Sequence, residues 1–329
     1  MTETVPNAER PLVTFALFAY NQERFIREAV EGALSQDYSP LQIILSDDCS
    51  SDRTFEIMQE MEASYEGPHD VILNRNSTNL GLSNHFNKIM DISGADTVVV
   101  AAGDDISLSD RVSKTAKVFE SHNRAVCISM TSKIIDDEGD LKPGQIIDNT
   151  CNVLNLSLHR YMSTRSHSMS GATRAYKKSI FDTYGPLIGS CPTEDTPMLL
   201  RSLMLGEVYL LCYPGVLYRR HDSNVSRPES LHSMPHELIY QQYVNDIGIA
   251  EDQGLIRHEE ASLVRRWATR NLDRRIRSKE LFMSPHKFRF FLRNVLISRE
   301  VGIREKYALF RRTMKMAMKG NLYRSDNVS

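Results

Sequence analysis

The sequence predicts an α/β fold: a Rossmann-like, mostly parallel central sheet flanked by helices, with a helical C-terminal extension. Three observations predict it. Short apolar runs alternate with amphipathic stretches through the first half of the chain. Two of those runs, LQIILSDD and VVVAAGDD, end in paired aspartates. From about Pro235 onward almost every stretch reads as helix. Strands that alternate with helices at this spacing pair in parallel, because a parallel crossover needs a connecting element.

The elements follow in order. LVTFALFA (12–19) reads as a strand, and ERFIREAVEGALSQ (23–36) carries apolar residues at helical spacing. The pattern repeats with a strand at 41–46 and a helix at 52–64, then a strand at 70–75 and a helix at 82–93, then the strand TVVVAA at 97–102. After Asp110 come a helix, a strand at 124–132 and the turn-rich DDEGDLKPG (136–144). A further unit runs from about Ser168 to His221 and contains SGATRAY, TEDTPMLLRSLMLG and YRRH. The expected organisation is a catalytic unit over 1–226, split near 108/109, and a helical basic region over 227–329.

Bulk properties narrow the function. A chain of 329 residues with 41% hydrophobic and 25% charged residues fits a folded, water-exposed protein. The N-terminus MTETVPNAERP lacks the basic start and apolar core of a signal peptide, and no apolar run reaches the roughly 18 residues that span a bilayer. Five scattered cysteines form no CxxC, which argues against a structural zinc site and fits a reducing compartment. The expected location is therefore the cytoplasm. The net charge of −2 conceals an asymmetry: residues 265–329 carry 18 Lys/Arg against 5 Asp/Glu, so the first 264 residues are net −15.

The aspartate pairs are the chemical signal. Two carboxylates at the mouth of a buried strand repel each other and resist desolvation unless a positive charge lies there. Mg²⁺ or Mn²⁺ supplies that charge, and both commonly bind one or two carboxylates plus substrate phosphates. Asp104-Asp105 thus suits a metal-bound diphosphate, while aspartates at strand ends also cap turns and helices. In parallel sheets ligands bind at the carboxyl ends of strands, where both pairs lie. The aromatic of AYNQE (19–23) could stack on a base. Neither GxxxxGK[ST] nor GxGxxG occurs, so a P-loop or dinucleotide fold lacks its main support.

Taken together, AYNQERFIREAVEGALSQDY, IILSDDCSSDRT, NSTNLGLSNHFNKIM, VVVAAGDDIS, TED and YRRH, in that order, resemble the family 2 glycosyltransferases over roughly residues 11 to 226. The resemblance implies the GT-A fold, inverting transfer of a sugar from a nucleotide-sugar donor, and a divalent cation. It implies that Tyr20, Asp48, Ser83, Asp104 and Arg219 contact the nucleotide, Asp48 reading the base. It implies Asp105 and His221 as metal ligands, although a histidine beside two arginines also suits a surface. Asp195, with Glu194, takes the place of the family's catalytic base; a carboxylate there also suits a helix N-cap. Many members carry Thr or Ser before the Tyr-Asn pair, where this chain has Phe18-Ala19. The QxxRW motif of processive synthases is absent.

The expected acceptor is a glycan or lipid-linked hydroxyl in surface polysaccharide synthesis. The basic tail, with KFRFFLRNVLISRE (287–300) and YALFRRTMKMAMKG (307–320), suits an anionic membrane surface, a helical cap or a homodimer interface. No nucleic-acid motif appears. Two other classes stay open: a sugar nucleotidyltransferase, and a non-catalytic receiver-like domain with an acidic pocket.

Overall fold

Both faces of the first strand must be covered, because VTFALFA carries apolar side chains on either side. The computed structural model describes residues 10–142, 152–163 and 169–284, together with 307, 310 and 311. In chain order the first half comprises β1 (Val13–Ala19), α1 (Ile26–Leu34), β2 (Leu41–Asp47), α2 (Thr54–Ala63), β3 (Asp70–Arg75), α3 (Leu82–Ile92) and β4 (Thr97–Ala102). The expected elements match within a few residues. β1 is flanked by β2 and β4, and β2 by β3, all in parallel. The chain therefore winds outward through β2 to β3, then returns to place β4 on the other side of β1. Strand order reverses there, so a crevice opens beyond the carboxyl ends of β1 and β4.

The second half departs from simple alternation. It comprises β5 (Ile106–Ser107), α4 (Arg111–Ser121), β6 (Ala125–Ile135), β7 (Val153–Leu156), α5 (Leu158–Ser163), a 3₁₀ turn at Gly171–Thr173 and β8 (Arg174–Lys177). Then follow α6 (Ser179–Tyr184), α7 (Asp195–Leu205), β9 (Glu207–Arg219), α8 (Pro228–Ser233), α9 (His236–Asp252) and α10 (His258–Met283). The described sheet runs β3-β2-β1-β4-β8-β6-β9-β5, with β7 against β9. β8 is antiparallel to both β4 and β6, and β5 is antiparallel to β9. β6 runs three residues beyond the expected 132 because β9 continues to pair with it through Ile135↔Arg219. Pro214 sits where that pairing shifts register, the position at which a strand tolerates a residue with no N–H.

Two apolar layers cover the sheet. On one side Phe15, Leu17, Ile43 and Leu45 meet Ile26 and Val30 of α1, Met58 of α2 and Val112 of α4. On the other, Ala16, Ile44 and Val98 meet Phe86 of α3, Leu199 of α7, Tyr243 and Ile247 of α9, and Val264 and Ala268 of α10. Helices α9 and α10 thus share the core of the sheet. Arg201 of α7 and Asp246 of α9, both fully buried, reinforce that union through two hydrogen bonds of 2.9 Å. The tail segments 287–300 and, apart from 307, 310 and 311, 307–320 lie outside the described residues. No helix among the described residues is long and apolar enough to cross a membrane.

Candidate functional site

Each wall of the crevice is set by a turn that leaves a strand. After β1, Asn21 adopts φ 52°, a left-handed conformation that Asn tolerates better than most residues. Its backbone N–H donates to Ser50 Oγ at 2.8 Å, and its side-chain oxygen accepts from Ser51 N at 2.9 Å. The β1 and β2 turns are thereby locked together, and Tyr20 is left 48% exposed at the cleft.

The first aspartate pair divides its labour. Asp47, fully buried, accepts from Ser50 N at 2.9 Å and from the Ser50 hydroxyl, and lies 3.5 Å from Arg75 Nε, so it shapes the turn. Asp48 lines the cleft. Its Oδ1 accepts from Asn76 Nδ2 at 2.8 Å and Leu80 N at 2.9 Å, and its Oδ2 from Gly81 N at 3.0 Å. Those three donors pull the loop before α3 against β2. Oδ2 keeps acceptor capacity.

The second pair faces across from it. Asp104 Oδ2 lies 2.9 Å from His221 Nε2 and accepts from Asn224 Nδ2 at 3.3 Å. Asp105 Oδ1 accepts from the backbone N–H of Arg219 at 2.8 Å, while its Oδ2 is buried with no hydrogen-bond partner. Burial first, and the Asp104 charge second, push the Asp105 carboxyl well above the usual carboxylate range. An orphaned carboxylate oxygen beside a second carboxylate is a stable arrangement only for a protonated acid or next to a cation. Among the described residues no group of three or more His, Cys, Asp or Glu side chains is placed to hold a metal ion. The orphaned Asp105 Oδ2 offers one oxygen to a hard cation, which would take its other ligands from substrate oxygens, while His221 Nε2 is engaged with Asp104 Oδ2.

The opposite wall comes from α7. Asp195 is its first helical residue and Glu194 precedes it, with no side-chain capping bond at that end. Asp195 Oδ1 accepts from Thr193 Oγ1 at 2.6 Å, and its backbone carbonyl accepts from the buried Arg174 guanidinium. Gly171 lies flat against Asp195: a Cβ there would fall 2.8 Å from Asp195 Cβ. Glu194 Oε2 is buried without a partner, and burial, followed by the Asp195 charge, pushes this carboxyl up to about 7.

Tyr20, Asp48, Asp104, Asp105, Glu194, Asp195 and His221 all line one cavity of about 1570 Å³. Two expected contacts do not reach it. Ser83 is buried at the start of α3 and donates to the Cys191 carbonyl at 2.7 Å. Arg219 is fully buried, its guanidinium donating to the carbonyls of Asp104, Asp136 and Asp137 and to Glu28 Oε2. Arg219 therefore braces the Asp104-Asp105 turn from behind.

Sequence reasoning missed several participants. His85 of α3 lines the cleft; Ser46 Oγ lies 2.6 Å from its Nε2, and burial, opposed by the charges of Asp48 and Asp47, holds it below its ordinary range. Arg111 bonds the carbonyls of Val100 and Ala172 at 2.7 and 2.9 Å, tying β4 to the loop that abuts Asp195. None of these has a local sequence signal, since each acts across dozens of residues. His236 of α9 and Arg275 of α10 also line the cavity, so the C-terminal region contributes to its wall.

Comparison with known proteins agrees with this fold. Bacillus subtilis EpsE, named as a glycosyltransferase, is 30% identical over 137 residues, 42% of this chain and 48% of EpsE, so the match spans about half of that relative. S. aureus TarS 1–349 in complex with UDP-GlcNAc shares the fold with a TM-score of 0.60 at 15% identity, covering 92% of this chain and 80% of that one. The mannosyltransferase PcManGT from Pyrobaculum calidifontis, solved with GDP-Man and Mn²⁺, gives a TM-score of 0.56 at 14% identity, covering 96% of this chain and 83% of the other. These likenesses support the expected GT-A architecture. Residues 14–185 match glycosyl transferase family 2, slightly more than half of the chain, and the chain belongs to that family.

Proposed function

We propose that this protein transfers a sugar from a nucleotide-sugar donor to an acceptor hydroxyl with inversion at the anomeric carbon. The observation that carries this reading is a single cavity with a carboxylate-rich donor wall at the ends of β2 and β4 and a separate carboxylate, Asp195, on the facing helix.

In this reading the base and sugar rest between Tyr20 and Asp48, with the free capacity of Asp48 Oδ2 accepting a base N–H. Asp104 contacts the ribose or diphosphate. Asp105, with His221 and the diphosphate oxygens, would hold a divalent cation, which fits the orphaned Oδ2 of Asp105. When bound, such an ion neutralises charge developing on the leaving diphosphate. The acceptor hydroxyl gives its proton to Asp195 as its oxygen bonds to the anomeric carbon. The bond from that carbon to the diphosphate oxygen breaks, and its electron pair leaves with the nucleotide.

The acceptor is in our reading a glycan or a lipid-linked sugar, in surface polysaccharide synthesis. The test is a panel of nucleotide sugars with Mn²⁺, read first by thermal shift and then by NMR of the product linkage. Transfer with inverted anomeric configuration is the expected result; retention, or a released sugar phosphate with no transfer, would sink it.

A further inference from the structure

The cavity does not end at Asp195. It runs on to a third wall built by the C-terminal helices, whose lining residues include Glu229 and His232 of α8, His236 of α9, and Arg275, Ser278 and Phe282 of α10. On α10 these positions recur about every four residues and so form one face. The donor end of the cavity is lined by Asp48, Asp104 and Asp105; this far end brings histidines and arginines, and its one carboxylate, Glu229 of α8, lies 3.6 Å from Arg227 Nε.

Two features mark the far wall as built to meet an anion. Arg275 is half-buried, and its Nε donates to Asn271 Oδ1 at 2.8 Å, which orients the guanidinium; among the described residues no carboxylate pairs with it. His236 is 4% exposed, and its Nδ1 is buried with no hydrogen-bond partner. Burial, then Arg275, then Lys279 lower the His236 imidazole to about 4, with the small Glu237 charge opposing and His232 adding to the effect. The ring is therefore neutral near pH 7 and presents one donor and one acceptor beside the Arg275 guanidinium. Cations gathered around a desolvated polar atom cost free energy unless an anion answers them.

The wall is also close to the chemistry. The charges of Asp195 and Arg275 both act on the hydroxyls of Tyr161 of α5 and Tyr243 of α9, both buried.

We propose that this wall is the acceptor subsite and that it takes an acceptor carrying a phosphate group, held by Arg275 with His236 and Ser278 while the hydroxyl is offered to Asp195. Phosphate suits the set better than a neutral sugar, because a planar guanidinium binds phosphate oxygens through paired hydrogen bonds while hydroxyl and imidazole groups fill the remaining acceptor sites. This inference rests on the transferase reading for its direction, but its anion site can be measured separately.

The experiment is calorimetric titration of the whole protein with glucose 1-phosphate, glucose and a short-chain alkyl diphosphate glucose, each with and without saturating Mn²⁺ and nucleoside diphosphates. The expected result is that glucose 1-phosphate binds and glucose does not, that binding persists when nucleoside diphosphate fills the donor site, and that Arg275→Gln weakens it about tenfold or more. Arg275→Lys should retain part of the affinity, and Arg275→Gln should leave nucleoside diphosphate binding unchanged, which separates loss of the anion site from loss of the fold. Tighter binding of the alkyl diphosphate sugar would identify a lipid-linked source, and equal binding a soluble glycan phosphate; both support the subsite. Displacement of glucose 1-phosphate by nucleoside diphosphate would place it in the donor pocket and overturn the proposal, as would equal affinity in Arg275→Gln. If no nucleoside diphosphate binds while the Arg275-dependent affinity remains, the transferase reading falls and the anion site stands.

Discussion

The backbone N–H of Arg219 donates to Asp105 Oδ1 at 2.8 Å, joining residues 114 positions apart. That bond fixes one oxygen of the carboxylate and leaves the other, Oδ2, buried and unpaired. The Arg219 guanidinium holds the same turn through the Asp104 carbonyl at 3.0 Å. The pair amounts to a carboxylate held in a strained electrostatic state by the last residue of β9.

A first prediction follows from that strain. Asp105→Asn keeps an oxygen for Arg219 N but removes the repulsion with Asp104. The variant should melt no lower than the parent without metal, and should lose the thermal shift that Mn²⁺ with nucleoside diphosphate gives the parent. Differential scanning calorimetry reads both. An unchanged Mn²⁺ shift in the variant would remove Asp105 from the donor set.

Glu194 makes a prediction about pH. Its carboxyl is raised from 4.5 to about 7, so the folded state holds the proton more tightly than the unfolded chain does. Its protonated form stabilises at low pH, and that contribution is lost as pH climbs from about 4.5 to 7. Glu194→Gln cannot titrate. Its melting temperature should match the parent near pH 4 and exceed it near pH 8. A constant difference across that range would show that Glu194 ionises normally.

Binding and chemistry should separate between the two walls. Asp48→Ala removes the acceptor of Asn76, Leu80 and Gly81, loosening the donor loop, and should raise KM for the donor. Asp195→Asn preserves the helix start and should leave donor affinity intact while lowering kcat by about 10²-fold or more. Steady-state kinetics on both variants decides. Weak donor binding with normal turnover in Asp195→Asn contradicts the base role.

Gly171 offers a test of placement alone. A methyl at this position falls 2.8 Å from Asp195 Cβ, so one of the two backbones must move. Gly171→Ala should lower kcat by about 10²-fold, the cost of shifting a reacting group by about 1 Å. Far-UV circular dichroism should be unchanged. Full activity would mean that Asp195 is not held against this glycine during turnover.

Much of this was legible in the sequence, and the boundary is physical. Period-two and period-3.6 patterns reach only a dozen residues, which is why strands 70–75 and 97–102 matched to the residue. Paired aspartates at strand ends are a local signal too, and they single out Asp48, Asp104 and Asp105, all of which line the cavity. Arg219 and Ser83 misled because a residue type at the right place along the chain says nothing of which way the side chain turns. Arg219 looked like a phosphate ligand and proved to be the brace behind Asp104, while Ser83 turned inward to Cys191. His85, Arg111, His236 and Arg275 carry no nearby motif, because what makes each informative is a partner far away in the chain. The antiparallel β8 was hidden for the same reason: four residues of strand carry no direction.

The final prediction separates the C-terminal helices, which pack into the core, from the basic residues that follow residue 284. Ile239, Ile247, Ala261, Val264 and Ala268 are buried within the core shared with β1, β2 and β4. Arg201 and Asp246 are fully buried and paired, so removing either leaves an uncompensated charge. Asp246→Ala should therefore cost about 3–5 kcal/mol, seen as a lower denaturation midpoint with an unchanged m-value. A chain ending at residue 230 strips this layer entirely and should be insoluble or unfolded. A chain ending at 284 retains it and should melt like the parent. That second cut also removes residues carrying 11 Lys/Arg against 3 Asp/Glu. If this charge draws the protein to anionic bilayers, the parent should pellet with phosphatidylglycerol vesicles at low salt and release as salt rises, whereas the 284 form stays in solution. Equal behaviour of the two forms would assign residues after 284 no membrane role, and leave the helices before 284 as part of the catalytic fold.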